Sequence, residues 1–115
     1  VPAFLQQNMQ LNSVSFDYLE CDWRQQQAIE RKFDVIVASD VLYDADLPVD
    51  LARRISEILV PAGEFIVSDP GRAYLQDFAT ECERLGMVTQ THIHAVASAG
   101  FGSREIFVLS GKRPV

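Results

Sequence analysis

Residues 33–38 read Phe-Asp-Val-Ile-Val-Ala, apolar except for Asp34 and rich in β-branched side chains. A run with no polar face predicts a strand covered on both sides, as in a parallel sheet. A parallel strand needs a crossover before its neighbour, usually a helix, and a helix pattern follows. Asp46 stands as a candidate N-cap, Pro48 falls in the first turn and Asp50 complements the dipole. Leu47, Leu51, Ile55, Ile58 and Leu59 form one apolar stripe, which Pro61-Ala62-Gly63 stops. A short strand over residues 65–67 runs into the turn cluster Ser68-Asp69-Pro70-Gly71. The next helix carries Leu75, Phe78, Ala79, Cys82 and Leu85 at helical spacing, with Gly86 as a C′ stop. Residues 87–94 and 104–109 predict two last strands, and the small, glycine-bearing stretch 95–103 between them predicts a mobile loop.

Upstream, residues 2–9 predict a short helix that Asn12-Ser13 breaks. Residues 14–19 alternate Val14, Phe16 and Tyr18 with Ser15 and Asp17, the period of a strand. Asp22-Trp23 stands at its end, and residues 24–32 are polar, a solvated helix turn or a loop. This alternation of strands and helices predicts an α/β fold of three layers with a mostly parallel sheet. The last two strands follow one another without a helix. They are adjacent and antiparallel, or one inserts beside an earlier strand.

At 115 residues the chain is one domain at most. Its net charge of −6 gives no electrostatic footprint for a nucleic-acid backbone, so nucleic acid is not an expected partner. No apolar run is long enough to span a bilayer, and no signal-peptide pattern opens the chain. Cys21 and Cys82 do not amount to a disulfide framework or a four-ligand zinc site. A reduced, cytoplasmic protein without a resident metal is the expectation.

In open α/β sheets, ligands bind outside the carboxyl ends of the strands. Three such ends carry acids or aromatics here: Asp22-Trp23, Ser39-Asp40 through Tyr43, and Asp69 through Arg72. Each has a plain structural role available. An Asp caps the next helix, a Trp packs, and Asp-Pro-Gly is ordinary turn chemistry. The functional expectation comes from all three loops leaving parallel strands on one rim.

The stretch from Phe33 through Ser39-Asp40-Val41-Leu42-Tyr43 resembles the fourth strand and following loop of class I S-adenosylmethionine-dependent methyltransferases. More narrowly it resembles the group of seven-strand protein-lysine methyltransferases and predicted nicotinamide N-methyltransferases. The Asp-x-x-Tyr element of that group matches Asp40 to Tyr43, and its Asp-Trp matches Asp22-Trp23. Residues 5–12 resemble the helix before that Asp-Trp strand. Residues 68–75, Ser-Asp-Pro-Gly-Arg-Ala-Tyr-Leu, are similar to a segment of relatives that include the lysine methyltransferase of electron-transfer flavoprotein beta subunit. The last two strands fit the antiparallel finish of the class I fold. The family's glycine-rich loop and the acid after its second strand have no counterpart; Gly100-Phe101-Gly102 lies in the wrong place. The resemblance therefore implies a three-layer Rossmann-like methyltransferase fold lacking its N-terminal strands, with residues 1–115 forming the C-terminal portion of a single methyltransferase domain. It also implies an unpaired sheet edge beside residues 33–38, hence marginal stability for these residues alone and self-association through that edge.

What the resemblance implies chemically is methyl transfer from the sulfonium of S-adenosylmethionine to an amine nitrogen. Trp23 lies against the adenine and Asp22 accepts from its amine; the backbone at Ala38 and Ser39 passes the methionine end. Asp40 holds an amine substrate by a charge-assisted hydrogen bond, and Tyr43 walls the acceptor channel. Asp69 and Arg72 line the acceptor side. The Asp-x-x-Tyr element favours a protein lysine, and a small heteroaromatic amine of nicotinamide type is the alternative.

Two other classes compete. A receiver domain would use Asp40 as phosphoryl acceptor, but it needs an earlier acid pair for magnesium and a Lys ending a late strand, and Lys112 comes almost at the terminus. A non-catalytic half-domain would pair with another chain and bind no cofactor. His92 and His94 form a His-x-His on one strand face, half of a metal site, without matching Cys or acid spacing nearby.

Overall fold

The computed structural model describes residues 1–22, 30–98 and 102–115. Its elements are α1 (Ala3–Leu11), β1 (Phe33–Ser39), α2 (Leu47–Ile58), β2 (Leu59–Asp69), α3 (Ala73–Arg84), β3 (Val88–Ser98) and β4 (Gly102–Lys112). The sheet order is β1-β2-β4-β3. β1 runs parallel to β2, and β4 runs antiparallel to both of its neighbours. Three strands therefore point one way and only the last is reversed. Both arrangements open to the final pair hold at once, because β4 is adjacent to β3 and also inserts beside β2.

The core forms where the helix stripes meet one face of the sheet. Leu47, Leu51, Ala52 and Ile55 of α2 and Leu75, Phe78, Ala79 and Cys82 of α3 are buried with Phe65, Val67 and Leu109 of the sheet. The rings of Phe65 and Phe78 meet edge-to-face with centroids 5.7 Å apart. Gly111 makes room for this: a Cβ there would stand 2.3 Å from the Phe65 ring. Along β2 burial alternates, so Phe65 and Val67 face the helices while Glu64 and Ile66 face away. On the opposite face Val35, Val37, Ile66 and Ile106 are exposed. No described helix is long and apolar enough to cross a membrane.

Several local expectations are corrected. Residues 14–19 form no strand, and Val14, Phe16, Tyr18 and Leu19 are exposed. Alternation sets which way side chains face, but a ladder needs a neighbour, and no described strand pairs with this segment. β1 is not covered on both sides. It is an edge strand whose Ile36 and Ala38 reach the core while Val35 and Val37 are 55% and 72% exposed. α2 ends at Ile58, ahead of Pro61-Ala62-Gly63, and Leu59 opens β2 instead of closing the helix stripe, so the strand runs from Leu59 to Asp69 rather than over 65–67 alone. The irregularity is absorbed by a register shift against β1 and by Ala62 at φ 65°, whose N–H reaches the Arg113 carbonyl at 3.1 Å. Asp46 sits in the helical region and makes no side-chain cap; Asp44 Oδ1 accepts from its N–H instead at 3.4 Å. The hairpin β3–β4 pairs through Ala95↔Glu105, Val96↔Arg104 and on to Ser98↔Gly102, so most of the expected loop is strand. Small residues do not prevent pairing when the register is already set by the preceding rungs.

Candidate functional site

The parallel pair β1 and β2 ends at Ser39 and Asp69, and the two loops leave on the same rim. Ser39 stands opposite Ser68, and the Ser68 hydroxyl donates to Ser39 Oγ at 2.9 Å. The chain then turns off the sheet at Asp40, whose φ of 55° is left-handed, a conformation that Asp tolerates better than most residues. The Asp40 N–H is held by the Ser68 carbonyl at 3.0 Å.

The second loop is organised by Asp69, which is buried at 2% exposure. Its Oδ2 accepts from the N–H of Gly71 at 2.9 Å and of Arg72 at 2.8 Å, an Asx-type turn. Its Oδ1 accepts from Arg72 Nη1 at 3.1 Å. Gly71 has φ 103°, which only glycine adopts without strain. These bonds aim the Arg72 side chain back across the rim. Nη2 meets Asp40 Oδ1 at 2.6 Å, and Nη1 also approaches the Leu42 carbonyl at 3.5 Å. The Arg72 guanidinium is held above its ordinary range, chiefly by the hydrogen bond it donates to Asp40, with Asp69 adding to it against partial desolvation.

Ser39, Asp40, Ser68, Asp69, Pro70 and Ile106 line a shallow pocket of about 260 Å³ at this rim. Of the residues expected at the site, Ser39, Asp40 and Asp69 line this pocket and Arg72 bonds to the last two from beside it, while Ala38 packs against the core one residue before the rim. Tyr43 lies on the same loop as Asp40 and is 61% exposed, next to Leu42, which is fully buried. Asp22 is exposed in the segment before β1. Trp23 lies outside the described residues. Asp69 differs from the expectation in what it touches: both its oxygens are engaged by its own loop, so it builds the rim. Pro70 and Ile106 line the pocket and were not foreseen. Pro70 was legible inside the turn cluster, whereas Ile106 reaches the rim only because β4 inserts beside β2.

No cluster of three or more His, Cys, Asp or Glu side chains suited to a metal occurs among the described residues. His92 and His94 are exposed on β3.

No protein-family model matches the chain, and no curated protein matches it. Solved structures do. A methyltransferase from Pyrococcus furiosus superposes with a TM-score of 0.71 at 15% identity, over 97% of this chain and 57% of that one. The N-methyltransferase NodS from Bradyrhizobium japonicum WM9, in complex with S-adenosyl-L-homocysteine, gives 0.70 at 17% identity, over 100% of this chain and 64% of that one. The [4+2]-cyclase SpnF gives 0.71 at 13% identity, over 98% and 62%. The chain thus spans about three-fifths of the length of these structures. At such identities the likeness shows the fold, that of class I methyltransferases with its Rossmann-like sheet. A fold does not fix chemistry, and a cyclase among the neighbours illustrates it.

Proposed function

We propose that this chain is part of an S-adenosylmethionine-dependent methyltransferase that methylates an amine nitrogen, with a protein lysine as acceptor. The observation that carries the reading is the rim itself. Asp40 and the Asp69–Arg72 turn, 29 or more residues apart in sequence, meet at the carboxyl ends of two parallel strands, where α/β folds hold their ligands. The methyltransferases among the solved neighbours and the Asp-x-x-Tyr element support the same reading.

Asp22 and Trp23 would take the adenine, and the backbone at Ala38 and Ser39 the methionine end. The cofactor supplies an electrophilic methyl group on a sulfonium. The chain's part is positioning and exclusion of water, which carry most of the acceleration in such a transfer. Asp40 Oδ1 is tied to Arg72, and its carboxylate is 65% exposed, so the group can accept a charge-assisted hydrogen bond from an incoming ammonium. An ordinary carboxylate is too weak a base to deprotonate an alkylammonium. Asp40 is therefore assigned orientation of the acceptor rather than proton removal. Tyr43, exposed beside it, walls the approach.

The alternative acceptor, a small heteroaromatic amine of nicotinamide type, is favoured by the modest size of the pocket at about 260 Å³. Calorimetry of the complete protein with S-adenosyl-L-homocysteine tests the cofactor. Binding is expected, and Trp23→Ala weakens it by about tenfold or more, since base–aromatic stacking is worth roughly 1–3 kcal/mol. No binding to the complete protein overturns the enzyme reading and leaves the non-catalytic one. Radiolabelled donor offered with a lysine-rich peptide or with nicotinamide then separates the acceptors. Asp40→Asn is expected to lose turnover more than cofactor affinity; the reverse pattern moves Asp40 to the cofactor side.

A further inference from the structure

We infer that Arg72 is a positioning residue whose guanidinium fork locks the Asp40 carboxylate to the buried Asp69, leaving one surplus negative charge at the rim for a cationic acceptor. The inference rests on the amine-methylating reading above and deepens it.

The fork is anchored from behind. Asp69 has a fully buried side chain that solvent does not reach, so its charge is met by the Gly71 and Arg72 N–H groups and by Arg72 Nη1. The front prong, Nη2, then reaches Asp40 Oδ1 at 2.6 Å. Asp40 sits at the first residue past β1 with a left-handed backbone, a conformation that needs the surroundings to hold it. Arg72 and the Ser68 carbonyl are the two groups that do so. Among the described residues Asp40 Oδ2 accepts no hydrogen bond. Two carboxylates share one guanidinium, and the unbalanced charge falls on the carboxylate that is 65% exposed, not on the one at 0%. That asymmetry suits an ammonium better than a neutral ring. A lysine in place of Arg72 would keep the charge and lose the fork, because a single ammonium lacks the planar pair of prongs.

The test uses the complete protein. In the wild type, nitrogen-detected NMR of Arg72 is expected to resolve separate, slowly exchanging Nη1 and Nη2 signals. Asp40→Asn is expected to merge them, and this readout is independent of any activity. Methyl transfer to a lysine-rich peptide is then followed through a double-mutant cycle of Arg72→Met, Asp40→Asn and the pair. Arg72→Met is expected to cut turnover by about 100-fold, the scale of a misplaced reacting group, with S-adenosyl-L-homocysteine affinity within twofold of the wild type. The pair is expected to be no worse than Asp40→Asn alone, because Arg72 acts through Asp40. Arg72→Lys, which keeps the charge should Arg72→Met fail to fold, is expected to recover little of the rate. Arg72 signals unmoved by Asp40→Asn, additive losses in the cycle, or full rescue by Arg72→Lys would each overturn the inference. If the wild type binds no S-adenosyl-L-homocysteine, the methyltransferase reading fails, while the Arg72 signals still decide whether the fork exists.

Discussion

The ring of Phe107 occupies the space where a side chain on Gly71 would stand. A Cβ built on Gly71 would lie 2.5 Å from Phe107 Cε2. Phe107 is opposite Asp69 in the β2–β4 ladder, so the inserted last strand buttresses the turn that carries Arg72. The geometry of the rim therefore depends on an element more than thirty residues downstream of it.

Gly71→Ala meets two penalties at once, a backbone at φ 103° and an overlap with the ring. Strain of the first kind costs about 1–3 kcal/mol and overpacking a further 1–3 kcal/mol or so. Urea denaturation is expected to show a loss of roughly 2–5 kcal/mol. Gly71→Ala with Phe107→Leu should recover part of it, since only the overlap is relieved. Equal losses in the single and double variants would mean that the ring is not the obstacle.

Cys82 is buried in α3 against the core, and burial, with Glu81 and Glu83 adding, pushes its thiol from about 9.0 up to about 12. Between these values the unfolded chain has released the proton that the folded chain keeps. Stability from this group is full below pH 9 and is lost as pH rises toward 12, at up to about 1.4 kcal/mol per pH unit. Denaturant titrations at a series of pH values should show this slope in the wild type and a shallower one in Cys82→Ala. Iodoacetamide at pH 8 is expected to label Cys21, which is at intermediate depth, well before Cys82. Parallel slopes in the two proteins would remove Cys82 from the account.

Phe78 is fully buried and packs edge-to-face on Phe65 over the Gly111 backbone. Truncation to Ala leaves a cavity at the junction of α3 and the sheet and is expected to cost about 3–5 kcal/mol. An equilibrium unfolding curve measures it directly. A loss under 1 kcal/mol would mean that the helix and sheet collapse onto one another and that the contact specifies little.

Much of this arrangement was legible because it depends on periodicity. The stripes of α2 and α3 encode which side faces a neighbour, and the β-branched run of β1 encodes a strand, though not that Ile36 and Ala38 alone reach the core while Val35 and Val37 stay exposed. What a single residue needs from a distant partner was not legible. Residues 14–19 alternate as a strand does, yet pairing requires an adjacent ladder, and the alternation of Phe16 and Asp17 cannot supply one. Asp46 looked like a cap, but capping requires an extended backbone, and the Asp44 turn sets it helical. The shared rim of Asp40 and Asp69 followed from parallel strands ending together. The Arg72 fork did not, since it depends on the left-handed turn at Asp40 and on an Asx turn that aims one side chain across 32 positions of sequence.

The exposed edge of β1 gives the last prediction. Val35 and Val37 lie uncovered on the face away from the helices, and no described strand pairs with the outer edge of β1. An unpaired edge with apolar side chains is a template for a second copy of the same strand, and a lysine on such an edge is the usual deterrent. The 115-residue chain is therefore expected to self-associate through β1, and Val37→Lys to weaken that association by about tenfold or more, a change of roughly 1.4 kcal/mol. Ile93→Lys, an exposed position on the opposite edge strand β3, serves as the control and is expected to leave it unchanged. Sedimentation equilibrium across a concentration series reads both. A wild-type chain that stays monomeric at every concentration would contradict the expectation, and equal weakening by the two lysines would reassign it to net charge, since each adds the same positive charge but only one sits on β1.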